Sequence, residues 1–395
     1  MTPNPEVPTI PKPAGLPALD THSATHHQNV VASIQEKLRQ QPDLFIPFET
    51  YMDMALYAPG LGYYVAGSQK FPNADAPGDF TTAPELTPAY GHALAQQMAQ
   101  VLRLSNSNHV LEFGAGSGAL ASSIITALRE MGIEPQYTII EVSAELRARQ
   151  GERLNKLEAD VQWRDNLPQR FEGCVVANEV LDAMPVSVFR WDENGQLMEK
   201  GVTPGTPFSW AERPASKELT KIVSSRMPPL PGYTSEINPR AEAWVSSLGQ
   251  WLKKGAAIII DYGFPRHEYY HPQRAQGTLM CHFRHHTHAE PLVYAGLQDI
   301  TAHVDFTAIA DAALGAGLDV LGYTSQARFL INTGFVNQLA QTTKTNALDQ
   351  ARLMASAQTL LSEAEMGELF KVMVLGRDIS PPLSGFERGD RRHRL

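Results

Sequence analysis

The sequence predicts an α/β fold built on an open, mostly parallel, Rossmann-like sheet. Three observations carry this. An apolar strand at 109–113 runs straight into alternating glycines at Gly114, Gly116 and Gly118. Further apolar strands at 137–142, 161–164 and 174–179 follow, with helical segments between the first three, as crossover connections require. A fifth apolar run, Ala256 to Tyr262, comes after a helix at about 238–252 and ends on an acid.

Taken in order, residues 1–28 hold many prolines and one basic residue, Lys12, and read as a flexible extension. They carry neither the apolar core of a secretory signal nor the arginines of a transit peptide. An amphipathic helix is expected over 29–41, closed by Pro42, so that 1–43 form an extension and helix. Residues 44–108 form an N-terminal lid and helical segment. It is rich in aromatics, glycine and proline up to residue 91, and its helix at 88–104 is capped by Thr87. The core spans 109–378, with insertions at about 185–235 and 264–300. In the first insertion, 186–190 alternates, Glu193-Asn-Gly195 turns, and 196–202 returns. After the second come a helix from Asp305 to Ala316, a strand at 318–323 and a last strand at 370–375. Residues 379–395 read as a flexible basic tail.

A chain of 395 residues, 43% hydrophobic and 19% charged, describes a soluble globular protein with a substantial core. Its net charge of −9 argues against nucleic acid as a partner, and no segment is apolar enough to span a bilayer. Only two cysteines, Cys174 and Cys281, are present, so no disulfide framework is expected and a cytoplasmic location follows. The histidines at 282, 285, 286 and 288 match no standard zinc spacing, and no metal is expected.

The strand-to-glycine junction points to a nucleoside. Glycines permit left-handed backbone and close approach of a ligand, and the helix from about 119 to 131 offers free N–H groups at its start. Glu141 comes 23 residues after Gly118, about where an acid meets a ribose hydroxyl pair. Gly114-x-Gly116-x-x-Ala119 also fits the looser dinucleotide fingerprint, so NAD competes as the ligand. Glu112 favours S-adenosylmethionine, because its carboxylate can hold a cationic amino group and would repel a pyrophosphate. Asp165, in the turn Trp163-Arg-Asp-Asn-Leu167, can accept from an adenine amino group while Leu167 packs beside the ring.

The second substrate is expected where the parallel strands end. There the fourth strand runs into Asn178-Glu-Val-Leu-Asp182. Carboxylates hold a guanidinium bidentately, so Glu179 and Asp182 suit an arginine acceptor, with Asn178 beside them. His303 is a candidate proton acceptor, and Asp305 a candidate cap for the next helix.

Several longer segments are more specific than the glycine loop. They are Gly78-Asp-Phe-Thr-Thr-Ala-Pro-Glu85, Leu111–Gly118, Ala177-Asn-Glu-Val-Leu-Asp-Ala-Met-Pro185, Tyr233-Thr-Ser-Glu-Ile237, Ile260-Asp-Tyr-Gly263, Gly277-Thr-Leu-Met280, Gln298–Phe306 and Gly367–Val372. Together they resemble the MidA-like family of class I methyltransferases, whose mitochondrial members assist assembly of respiratory complex I. The resemblance covers about 47–376. It implies a seven-stranded sheet whose last strand inserts antiparallel between its neighbours, insertions after strands 4 and 5, and dependence on S-adenosylmethionine. It also implies methylation of an arginine on a protein substrate, such as a complex I subunit. Gly78 and Asp79 would then bind on the cofactor side, within a lid running to Thr82. The competing functions are a non-catalytic assembly factor that keeps the pocket, and an NAD-dependent oxidoreductase.

Overall fold

Ala256 to Ile260 have nothing polar to show solvent on either face, and such a run belongs inside a parallel sheet covered on both sides. The computed structural model, which describes residues 15–66, 82–341, 346–380 and 382–395, places it there. The chain divides into two units. The larger comprises Thr81–Asp182, Pro239–Tyr269 and His303–Leu395, and the smaller Met1–Phe80, Ala183–Asn238 and Tyr270–Ala302.

The larger unit holds β1 (His109–Phe113), β2 (Gln136–Ile140), β3 (Val161–Arg164), β4 (Phe171–Asn178), β5 (Leu252–Phe264), β6 (Asp319–Ser325) and β7 (Phe370–Arg377). Their order across the sheet is β6-β7-β5-β4-β1-β2-β3. The first five strands run parallel, and β7 lies antiparallel between β5 and β6. The antiparallel insertion of β7 is what the family resemblance implied. The short strand Val304–Asp305, paired with β5, makes this an eight-stranded sheet rather than a seven-stranded one. In register, Phe113 faces Ala177, Asn178 faces Ile260, and Tyr262 faces Phe370. The carboxyl ends of the parallel strands therefore share one edge, and the candidate residues collect there.

Five helices matter for that edge: α1 (Pro88–Ser105), α2 (Ala119–Glu130), α3 (Ala144–Leu154), α4 (Pro239–Trp251) and α5 (Phe306–Gly315). Thr87 caps α1 by accepting from Ala89 N, Ser143 caps α3, and Asp305 caps α5 by accepting from Ala308 N. The core joins Leu94 and Met98 of α1 and Ile124 and Leu128 of α2 to Val110, Val176, Ile258 and Val374 of the sheet. Ile258, Ile259 and Ile260 have no exposed surface, and each such burial stabilises the fold by about 1.5–3 kcal/mol.

The smaller unit has its own core of Ile34, Leu38, Tyr51, Met52, Leu56, Val188, Val202 and Ile300. It pairs helices Thr21–Arg39 and Phe48–Tyr57 with an antiparallel sheet of Phe208–Pro214, Leu197–Pro204, Ser187–Trp191 and Thr234–Ile237. A three-stranded sheet is formed by His286–His288, Met280–Phe283 and Asp299–Thr301. Among the described residues no cluster of three or more His, Cys, Asp or Glu could hold a metal. Nor is any described helix long and apolar enough to cross a membrane.

Several expectations need correction. The first helix begins at Thr21, not 29, because Asp20 caps it through Ser23 N and His27 is buried against the Ala295 carbonyl. Residues 21–28 are thus helical rather than part of a flexible extension. β2 ends at Ile140: Glu141 N still bonds Arg164 O, but Ser143 has turned away to cap α3. Residues 379–395 are no free tail. Leu383 and Phe386 are buried, Arg391 N donates to Tyr323 O, and the Arg391 guanidinium grips the Glu368 carboxylate with both terminal nitrogens. The basic residues there answer acids across the fold, a pairing that charge counting along the chain does not reveal.

Candidate functional site

β1 delivers its chain to the sheet edge at Phe113, and the next five residues turn back into α2. Gly114, Gly116 and Gly118 have φ of 64°, 53° and 80°, a left-handed region that costs an L residue about 1–2 kcal/mol. The loop is tied from outside: Ser117 donates to Glu85, and Arg153 Nη1 donates to Ser117 Oγ at 3.0 Å. A Cβ at Gly114 would lie 3.2 Å from Val180 Cγ2, so the loop adjoins the turn after β4.

Glu112, on β1, is buried, and its Oε2 accepts from Tyr137 Oη at 2.9 Å. Burial pushes its carboxyl up to about 8; the Tyr137 hydrogen bond opposes that, and Glu141 adds to it. Glu141 is buried as well, accepting from Ser143 N at 2.9 Å and from Gln150 Nε2 at 3.1 Å. Next to it Val142 is 67% exposed, and Leu167, at the end of the neighbouring strand, is 44% exposed. Large apolar side chains held open on adjacent strand ends can cover the faces of a planar ring. Asp165 stands on the same edge, exposed, and accepts from Asn166. Gly78 and Asp79 lie outside the described residues.

The turn after β4 crowds charge. Asn178 Oδ1 accepts from Tyr90 Oη at 2.7 Å, and Asn178 Nδ2 donates to Glu179 Oε1 at 2.9 Å. Glu179 itself has φ of 54°, uncommon for a non-glycine residue, while its N–H donates to Ile260 O at 2.9 Å. Asp261 Oδ2 accepts from Leu181 N at 3.0 Å and Asp182 N at 3.2 Å. Burial, reinforced by Asp182 and Glu179, holds the Asp261 carboxyl well above the usual range. His303 joins the end of β5, where Val304 pairs with Gly263 and the His303 ring meets Tyr262 and Phe264 edge-on at 5.2 and 5.3 Å.

The fold therefore brings Glu112, the glycines, Glu141, Asn178, Glu179, Asp182 and His303 to one sheet edge, with Asp165 at its exposed end. The sequence marks Asp261 only as an acid closing a strand within a family segment, and it gives Tyr90, Tyr137, Gln150 and Trp163 no role. Gln150 had a legible signal: it interrupts the buried stripe Leu146, Gln150, Leu154. Tyr90 had none, since a tyrosine in a helix is ordinary core.

Comparison with known proteins gives the family. Residues 93–324 match the Methyltransf_28 family of S-adenosyl-L-methionine-dependent methyltransferases. A crystal structure from Burkholderia thailandensis with S-adenosyl-homocysteine bound is 46% identical, with a TM-score of 0.90 over 96% of this chain and 100% of that one. Two curated relatives are named "Protein arginine methyltransferase NDUFAF7 homolog, mitochondrial". The Drosophila melanogaster protein is 26% identical, covering 93% of this chain and 89% of its own. The Caenorhabditis elegans protein is also 26% identical, covering 82% and 81%. Those names overturn the cytoplasmic expectation. It rested on cysteine usage, and two buried thiols, whose pKa burial raises, do not separate one reducing compartment from another. The cofactor is S-adenosylmethionine, and the chain belongs to the Methyltransf_28 family of methyltransferases that depend on it.

Proposed function

We propose that the chain transfers a methyl group to an arginine nitrogen of a protein. The observation that carries this reading is Glu179, an acid held in left-handed backbone with its carboxylate fixed by Asn178. The names of the curated relatives support it.

On this reading Glu112 would hold the cofactor's amino group, and the loop 114–118 and Glu141 would meet its nucleoside. Val142 and Leu167 would offer apolar faces to the adenine, and Asp165 would accept from the adenine amino group. When bound, the cofactor supplies a methyl group on a sulfonium. Glu179 orients a planar guanidinium so that one nitrogen faces that methyl, and such positioning contributes most of the rate. Asp261 accepts from the Leu181 and Asp182 N–H groups and so holds the shape of the turn. The methylated nitrogen must lose a proton, and on this reading Glu179, Asp182 or His303 accepts it. A respiratory complex I subunit is the first acceptor to try.

The test incubates the purified chain and labelled cofactor with protein extract from cells lacking this gene. Label on arginine is expected, with Glu179→Ala abolishing transfer while S-adenosylhomocysteine still binds. Label confined to other residues or to small molecules sinks the arginine assignment.

A further inference from the structure

The buried stripe of α3 runs Leu146, Gln150, Leu154, and the middle residue has no exposed surface. A primary amide in such a place destabilises the fold unless its atoms find partners. Gln150 Nε2 donates to Gly116 O at 3.0 Å and to Glu141 Oε2 at 3.1 Å, while Oε1 accepts from Trp163 Nε1 at 2.8 Å. Two acceptors on one side and an indole donor on the other fix which way the amide points. The Gln150 backbone also closes on the loop, its Cα lying 3.4 Å from where a Cβ at Gly118 would stand.

One side chain therefore ties the glycine loop, the acid after β2 and the strand β3 together. The loop is also held through Ser117, and β3 through its ladder with β2, and Gln150 joins them to the acid. Left-handed glycines have the widest conformational freedom of any residue, so the loop's path needs an external hold. Glu141 takes one backbone hydrogen bond on Oε1, and its second oxygen is oriented by Gln150.

We propose that Gln150 is a positioning residue for recognition of the cofactor's ribose, acting through Glu141 and the Gly116 carbonyl. This rests on the assignment of the ribose to Glu141, and the experiment separates the two. Calorimetry measures S-adenosylhomocysteine and its 2′-deoxyribose counterpart against wild type, Gln150→Glu, Gln150→Met, Trp163→Phe and Glu141→Gln. Gln150→Glu keeps the shape and the Trp163 partner but sets a carboxylate against Glu141. It should weaken S-adenosylhomocysteine by roughly tenfold or more and bring the preference for the 2′-hydroxyl towards one. Gln150→Met should do the same and carries the test if Gln150→Glu does not fold. Trp163→Phe should give a smaller loss, about threefold, in the same direction. A merely structural role would weaken both ligands alike. Folded Gln150 variants with wild-type preference, alongside a Glu141→Gln that has lost it, overturn the proposal. A Glu141→Gln that keeps the preference overturns the ribose assignment instead.

Discussion

Around the glycine loop, the buried polar side chains find hydrogen-bond partners. Glu112 accepts from Tyr137, Glu141 from Ser143 and Gln150, and Gln150 from Trp163. On the turn after β4, three carboxylates, Glu179, Asp182 and Asp261, share one neighbourhood, and one of them sits in a strained backbone. The first region is prepared for a ligand that arrives with its own hydrogen-bonding pattern. In the second, burial together with Asp182 and Glu179 raises the Asp261 carboxyl above its usual range, and backbone strain kept in place by its surroundings is a mark of function. Pre-organisation and stored tension thus stand next to each other, joined at Gly114 and Val180.

Four measurements would break or sharpen that contrast. The largest effect is expected from Gly116→Val, since a β-branched residue does not accept φ of 53°. S-adenosylhomocysteine binding should fall by roughly a hundredfold or more, and unchanged affinity in the folded variant would remove the loop from the site.

Second, Glu179→Gly should separate strain from function. Relief of the left-handed backbone should raise stability by about 1 kcal/mol, while methyl transfer is lost and cofactor affinity holds. A variant that is active, or less stable than wild type, contradicts the account of the turn.

The third uses pH. The Glu112 carboxyl is raised from 4.5 to about 8, so the folded chain holds a proton that the unfolded chain gives up. That contribution to stability is fully present below pH 4.5 and is lost as pH rises through about 8. It amounts to a few kcal/mol at most, by order of magnitude. The thermal midpoint of the ligand-free protein should fall across this window, and Glu112→Gln should flatten the slope. If Glu112 holds the cofactor's cationic amino group as proposed, that requires the carboxylate, and affinity should rise over the same range. An equal slope in Glu112→Gln would assign the dependence elsewhere.

The smallest effect is expected in the smaller unit. Asp20→Ala removes the acceptor of Ser23 N and the partner of Arg284, and should cost about 1 kcal/mol without touching cofactor affinity. No loss of stability would mean that the cap at Thr21 contributes nothing.

The cofactor side was largely readable because its signals are local: a strand, alternating glycines and an acid at fixed distance lie within residues 109–141. Sheet strands with continuous apolar runs were readable for the same reason, as were the caps at Thr87 and Asp305. The helix start at Thr21 was obscured by polar residues whose burial depends on Ala295, far along the chain.

By itself, then, the sequence determined the α/β class and the strand-to-glycine turn after β1, since backbone conformation and burial periodicity are written in neighbouring residues, and its family resemblance pointed to the cofactor. Only the tertiary structure decided that β7 inserts between β5 and β6, and that residues 379–395 pack rather than trail. It alone brought Asp261 under the turn of Glu179, and Tyr90 and Gln150 to the functional edge. Each of those outcomes depends on partners tens to hundreds of residues apart, whose pairing is settled by packing and by the need to satisfy buried polar groups.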